Sequence, residues 1–268
     1  MKKTIMITGA TDGIGLATAI KFASQGHHLL IHGRNLEKLK AVAAQLSALP
    51  ANGKIESYLA DLSKLSEVIA LAKKVKEKSS FEHIDVLINN AGVFKVPQPM
   101  TSDSLDVRFS VNTIAPYLLT KALLSKLSDN GRVLNLSSAA QAPVDIDALL
   151  GKKQLNDMAA YSQSKLAITQ WTLGIANTNK ALTYLAVNPG SLLASKMVKE
   201  GFGLAGNDIN IGADILIRLS IEDGVNKYSG QYFDNDKGNF SSPHPDGMDL
   251  QKSKEIIRTI ESIISDKM

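Results

Sequence analysis

Cysteine is absent from the 268 residues of this chain, which excludes disulfides, thiolate zinc sites, iron–sulfur clusters and a cysteine nucleophile together. That absence suits a reducing compartment. Aromatic side chains are scarce, at 5% of residues, and runs of one-sign charge are missing. The 30 Lys and Arg stand against 26 Asp and Glu spread along the chain, and a net charge of +4 without a basic stripe gives nucleic acid no footing. Long apolar runs are missing too: even Ile211 to Leu219 is interrupted by Gly212, Asp214 and Arg218, short of the roughly 20 residues a membrane span needs. Two lysines followed by Thr4 to Thr8 make too short an apolar stretch for a secretion signal. A cytoplasmic protein without a membrane partner is therefore expected. The histidines, His27, His28, His32, His83 and His244, form no metal-ligand spacing, and Gln231 to Gly238 lacks the pattern of a calcium loop. No metal is expected.

What is present is alternation. Short β-rich apolar runs at 3–8, 28–32, 54–59, 84–89, 131–136, 182–187 and 229–233 are separated by helix-period segments at 14–24, 36–49, 65–78, 105–127 and 158–177. This pattern signals βαβ units. It predicts an α/β fold: a doubly wound, seven-stranded parallel sheet of Rossmann type in one domain over 1–268, with helices on both faces. A final apolar stripe predicts a helix near 250–264. Ligands of such sheets bind at the carboxyl ends of the strands.

After the first strand comes Thr8-Gly9-Ala10-Thr11-Asp12-Gly13-Ile14-Gly15. Glycines there let the backbone approach a pyrophosphate, and the helix that follows offers free N–H groups and partial positive charge. The second strand ends in Ile31-His32-Gly33-Arg34-Asn35, with no acid to hold a ribose 2′-hydroxyl. Arg34 instead suits a 2′-phosphate, so NADP(H) is preferred and NAD(H) remains possible. Asp61 after the third strand either accepts from adenine or caps the helix near Leu62 and Ser63. Asn89-Asn90-Ala91-Gly92 follows the fourth strand.

These segments, in this order along nearly the whole chain, resemble the short-chain dehydrogenase/reductase family. The resemblance implies a nicotinamide cofactor and a Ser/Tyr/Lys set assisted by an Asn. The chain holds two Tyr-x-x-x-Lys pairs, Tyr117/Lys121 and Tyr161/Lys165. The four-residue spacing puts an ammonium beside a phenol, which lowers the phenol pKa and makes it a usable acid or base. Tyr161 lies downstream of Ser137-Ser138 as the family pattern requires, so Tyr161 and Lys165 are expected to be catalytic and Tyr117 to be packed in the core. Only one of two adjacent strand-end serines can face the crevice, and Ser138 matches the family's catalytic position. Asn112 matches the family's helix-borne amide in a proton relay to the lysine.

The nucleotide ligands expected on this reading are Gly9, Thr11, Asp12, Gly13, Ile14 and Gly15, then Arg34, Asn35, Asp61 and Leu62, then Asn90, Ala91 and Gly92. Tyr161, Lys165, Pro189 and Gly190 complete them with Ser195. Where the family commonly has a Thr four residues after that glycine, this chain has Ala194. Either Ser195 makes the nicotinamide contact or the contact is absent. Glycines 201, 203 and 206 suggest a substrate lid near 191–210. The 23 positions from Ser138 to Tyr161 are more than is common in the family and resemble its retinol-dehydrogenase-like and WW-domain-oxidoreductase-like branch, which implies NADP and a lipophilic aldehyde or ketone, or the matching alcohol. A homodimer or homotetramer is compatible with the resemblance. The rival reading is a regulatory protein that binds NADP without turnover.

Overall fold

A computed structural model of the chain describes residues 2–51 and 53–265. Each predicted apolar run forms a strand: β1 (Thr4–Ile7), β2 (His28–Gly33), β3 (Ile55–Leu59), β4 (Ile84–Asn89), β5 (Leu127–Leu136), β6 (Thr183–Asn188) and β7 (Gln231–Asp234). An eighth strand, β8 (Asn239–Ser241), follows a tight turn and pairs antiparallel with β7. The sheet order is β3-β2-β1-β4-β5-β6-β7-β8, so the seven-stranded parallel prediction is corrected by one antiparallel edge strand. Three residues of Asn-Phe-Ser are too short to register as a strand by periodicity. They hold because Phe240 stacks on Tyr228 and meets Phe233 edge-on.

The helices are α1 (Gly13–Ser24), α2 (Leu36–Ser47), α3 (Leu65–Lys78), α4 (Val107–Phe109), α5 (Ala115–Ala122), α6 (Ile146–Leu149), α7 (Asp157–Thr178), α8 (Lys196–Phe202), α9 (Asn210–Ile221) and α10 (Leu250–Ser265). Side chains alternate across the strands: Ile5, Ile7, Ile31, Ile88 and Leu134 join the core beneath α1, α2 and α9, while Met6, Leu30, Leu87 and Val133 join the core beneath α3, α5, α7 and α10. Both faces are thus covered, as a parallel sheet requires.

The single helix predicted over 105–127 is broken. Only α4 and α5 are α-helical, and between them Ser110–Ile114 forms a π-helical turn. Asn112 lies in that turn because its amide serves tertiary partners, accepting from the Val93 N–H at 2.8 Å and donating to the Val93 carbonyl and to Ser164 Oγ at 3.0 Å. π-turns gather at functional sites because they re-aim one side chain.

The strand order reverses between β1 and β4. Beside that reversal the loops after β1, β4, β5 and β6 converge into one groove.

Candidate active site

The groove encloses about 350 Å³ above the carboxyl ends of the strands. Its floor is the turn after β1, where Gly9 and Gly13 have φ of +66° and +55°. A Cβ on Gly15 would lie 2.3 Å from the Gly9 carbonyl oxygen, so only glycine lets α1 start this close to the turn. Asn90 braces the turn from β4, its amide donating to the carbonyls of Thr8 at 2.8 Å and Gly9 at 3.1 Å. Thr8 Oγ1 returns the tie by accepting from the N–H groups of Asn90 and Ala91. Asp12 caps α1 through the Gly13 N–H, and its carboxylate faces Lys38 at 3.6 Å across the groove mouth.

Thr11, Ile14, Ala91 and Gly92 also line the groove, as do Arg34, Asp61 and Leu62 at the ends of β2 and β3. Arg34 is exposed there. Asn35 turns away to cap α2, its side chain accepting from the Lys38 N–H. Asp61 accepts from the Ser63 N–H, while α3 itself starts two residues later behind Lys64.

At the far end Tyr161 and Lys165 project from α7, and Pro189 and Ser195 border the loop after β6. Ser195 caps α8, with its hydroxyl accepting from the Val198 N–H at 3.3 Å. Gly190 adopts φ of +123° beside Leu193. The adjacent serines diverge as strand alternation demands. Ser137 Oγ is buried against α7, donating to the Lys165 carbonyl and meeting Thr169 Oγ1, whereas the Ser138 hydroxyl reaches Tyr161. Asn112 lies behind the groove, its Oδ1 about as near to Gly92 as is Lys165 Nζ.

Burial pushes the Tyr161 phenol up from its ordinary range, and the hydrogen bond with Ser138 pulls it the other way. This departs from the expectation that Lys165 lowers the phenol. The ammonium is 5.7 Å from the ring centroid and donates instead to the Leu136 carbonyl at 2.7 Å. Burial lowers Lys165 itself, from 10.5 to about 8.

The other Tyr-x-x-x-Lys pair is engaged elsewhere. The Tyr117 hydroxyl donates to Glu261 of α10, Lys121 pairs with the same carboxylate, and the Tyr117 ring meets Trp171 edge-on at 5.4 Å.

Several contributors have no sequence motif. Phe94, Val93, Val96 and Met197 line the groove beside Tyr161, with the Phe94 and Tyr161 rings 5.1 Å apart. Helix α8 closes over this end, and a Cβ on Gly201 would come within 2.7 Å of the Phe94 ring. Arg108 is buried, forked onto Asp106 and bonded to Asp157 in the first turn of α7. The signal for it was a pair of opposite charges, Asp106 and Arg108, set in the apolar stretch after Leu105. Asp236, in the turn before β8, accepts from the Ser191 N–H at 2.7 Å and from Asn188 Nδ2 at 2.9 Å, tying down the root of the 191–210 segment. Asp236→Ala is expected to lower stability by about 1–2 kcal/mol, since the Ser191 N–H and hydroxyl lose their acceptor and Asn188 keeps only Asp234. Denaturant titration measures the loss.

Among the described residues, no cluster of His, Asp or Glu could hold a metal ion, and no helix is long and apolar enough to cross a membrane.

Known proteins resemble this chain in sequence and fold. Human retinol dehydrogenase 13 is 31% identical over 95% of this chain and 82% of its own length. A Mycobacterium paratuberculosis protein superposes with a TM-score of 0.79 at 26% identity, covering 98% of this chain and 93% of that one. A short chain dehydrogenase of Shigella flexneri, solved with NADP, superposes with a TM-score of 0.69 at 26% identity over 87% of this chain and 97% of its own. Residues 3–202 match the family described as short chain dehydrogenase. With that match covering most of the chain, and the fold shared with solved members, this protein belongs to the short chain dehydrogenase family of oxidoreductases.

Proposed function

We propose that the protein is an NADP(H)-dependent reductase or dehydrogenase of a lipophilic carbonyl or alcohol. The observation that carries the reading is one groove holding a glycine cradle at one end and the Tyr161 and Lys165 side chains at the other, with the Ser138 hydroxyl bonded to Tyr161. The cradle fits a dinucleotide: a Cβ on Gly9 or Gly15 would run into neighbouring backbone, Gly13 holds a left-handed φ, and the first turn of α1 points its free N–H groups there. Arg34 supplies a permanent planar cation at the end of β2 for a 2′-phosphate. The Shigella protein's NADP and the retinol dehydrogenase relative support the same cofactor and substrate class.

When bound, the nicotinamide supplies a hydride to a carbonyl carbon, or takes one from an alcohol carbon. Tyr161 gives its phenolic proton to the carbonyl oxygen; burial raises the phenol and opposes that release, while the hydrogen bond with Ser138 pulls the pKa back down and eases it. Ser138 steadies the same oxygen by hydrogen bonding. Lys165 holds the ribose with its ammonium, and Asn112 keeps the Val93 backbone and Ser164 in place behind it. Phe94, Val96 and Met197 offer an apolar wall that favours lipophilic substrates and excludes water.

The reading is tested by titrating the protein with NADPH and NADH and then following NADPH loss over a panel of aldehydes, ketones and quinones. Tight NADPH binding with turnover is expected. Failure to bind either nucleotide would overturn the reading, and binding without turnover of any carbonyl would favour a regulatory role. Arg34→Asp is expected to shift the NADPH-to-NADH affinity ratio toward NADH by about tenfold or more, because a charge-assisted phosphate contact becomes a repulsion. An unchanged ratio would remove Arg34 from the phosphate site.

A further inference from the structure

His32 is a buried titratable group with no part in the steps above. It stands one residue before the end of β2, 3% exposed, at the edge of the groove. Strand β1 ends at Ile7 and β3 at Leu59, and past Leu59 the β3 side keeps a backbone bond from the Ala60 N–H to the Gly33 carbonyl at 3.3 Å. The His32 ring adds a side-chain tie on each side of β2. The Gly9 N–H donates to Nδ1 at 3.3 Å, and Nε2 lies 3.0 Å from the Ala60 carbonyl oxygen. The His32 backbone carbonyl adds a third tie, accepting from the Ala10 N–H at 2.9 Å.

These contacts fix the state of the ring. A carbonyl oxygen only accepts, so Nε2 must carry the proton, and an N–H only donates, so Nδ1 must be bare. An imidazolium would set Nδ1–H against the Gly9 N–H and push the turn off its seat. Burial, the larger influence, opposes that protonation. Asp61, beyond the end of β3, favours it. Of the other charged groups nearby, Asp12 on the glycine turn is engaged with the Gly13 N–H and Lys38, and Arg34 follows directly after β2.

We propose that His32 is a positioning residue for the nucleotide: a neutral ring, protonated on Nε2, that spans β1 to β3 and holds Gly9 at the height at which the glycine turn receives a pyrophosphate. The inference rests on the dinucleotide reading of the groove. It adds a residue that acts through Gly9 without touching the cofactor.

Glutamine offers the same acceptor and donor on one flexible side chain and does not titrate, whereas leucine fills volume and offers neither. Titration with NADPH, followed by its fluorescence, is expected to show His32→Leu weakened about tenfold and His32→Gln within about threefold of the wild type, the difference being hydrogen bonding to the turn. The Kd ratio of wild type to His32→Gln is expected to rise as pH falls and the ring takes a proton, a ratio in which the titration of the nucleotide phosphate cancels. Nitrogen-detected NMR of the unliganded wild type is expected to show a bare Nδ1 and a protonated Nε2 at neutral pH. Unchanged binding in a folded His32→Leu would overturn the proposal, as would a His32→Gln as weak as His32→Leu. Should His32→Leu fail to fold, a proton found on Nδ1 in the wild type would overturn it alone. A wild type that binds neither nucleotide would overturn the cofactor reading itself, and this inference with it.

Discussion

Tyr161→Phe is expected to reduce carbonyl turnover by about a thousandfold while leaving NADPH affinity within a factor of about two. The variant removes one oxygen from a ring whose position is fixed by other contacts. Phe94 holds the ring edge-on, and α7 is anchored by the buried Arg108 to Asp157, four residues before Tyr161 on the same helical face. The ring therefore remains, Lys165 keeps its bond to the Leu136 carbonyl, and the glycine cradle is untouched. What goes is the groove-lining phenol that the Ser138 hydroxyl reaches. Tyr117→Phe is the matched control. Its hydroxyl serves Glu261 on the other side of α7, so its loss is expected to leave turnover intact and to cost only the stability of one α10 contact. A steady-state assay of both variants separates the two Tyr-x-x-x-Lys pairs. Activity lost in the Tyr117 variant and kept in the Tyr161 variant would reverse the assignment.

The parts of this molecule that could be read from sequence are those decided locally. The turn after β1 was legible because left-handed glycines and a close helix start demand glycine whatever lies around them. The pairing of Tyr161 with Lys165 on one face follows from helical spacing, and the opposed directions of Ser137 and Ser138 follow from strand alternation. What escaped was decided by partners distant in sequence. The helix predicted through 105–127 breaks because Asn112 bonds to Val93 and Ser164 rather than fitting a regular turn. Arg108 finds Asp157 across 49 positions. Strand β8 exists through aromatic packing, and His32 reads in sequence as one more strand residue beside an arginine. The expected lowering of the Tyr161 pKa failed for a similar reason: spacing placed an ammonium near the phenol, but the ammonium bonds to the Leu136 carbonyl and burial governs the phenol.

Lys165→Met is expected to abolish carbonyl reduction and yet to make the protein more stable at neutral pH. Lys165 is 4% exposed, and burial lowers its ammonium from 10.5 to about 8. A shift of that size corresponds to roughly 3 kcal/mol of penalty for holding the charge in the folded state. At pH 7 both folded and unfolded chains carry the proton, so the whole penalty weighs on the fold. Between about pH 8 and the unfolded value of 10.5 the folded chain releases its proton while the unfolded chain keeps it, and the penalty is relieved. Methionine fills the same volume without charge. It forfeits the bond to the Leu136 carbonyl, which offsets about 1–2 kcal/mol of the gain, so a net stabilisation of about 1–2 kcal/mol is expected at pH 7. By pH 10 the advantage should have gone and the variant should be the weaker fold. Guanidinium unfolding at pH 7 and pH 10 measures both ends. A variant less stable than wild type by the same amount at both values would mean that the ammonium is well solvated where it stands. The predicted crossing instead marks a charge that the fold tolerates at its own expense, retained because the groove needs a cation beside Tyr161.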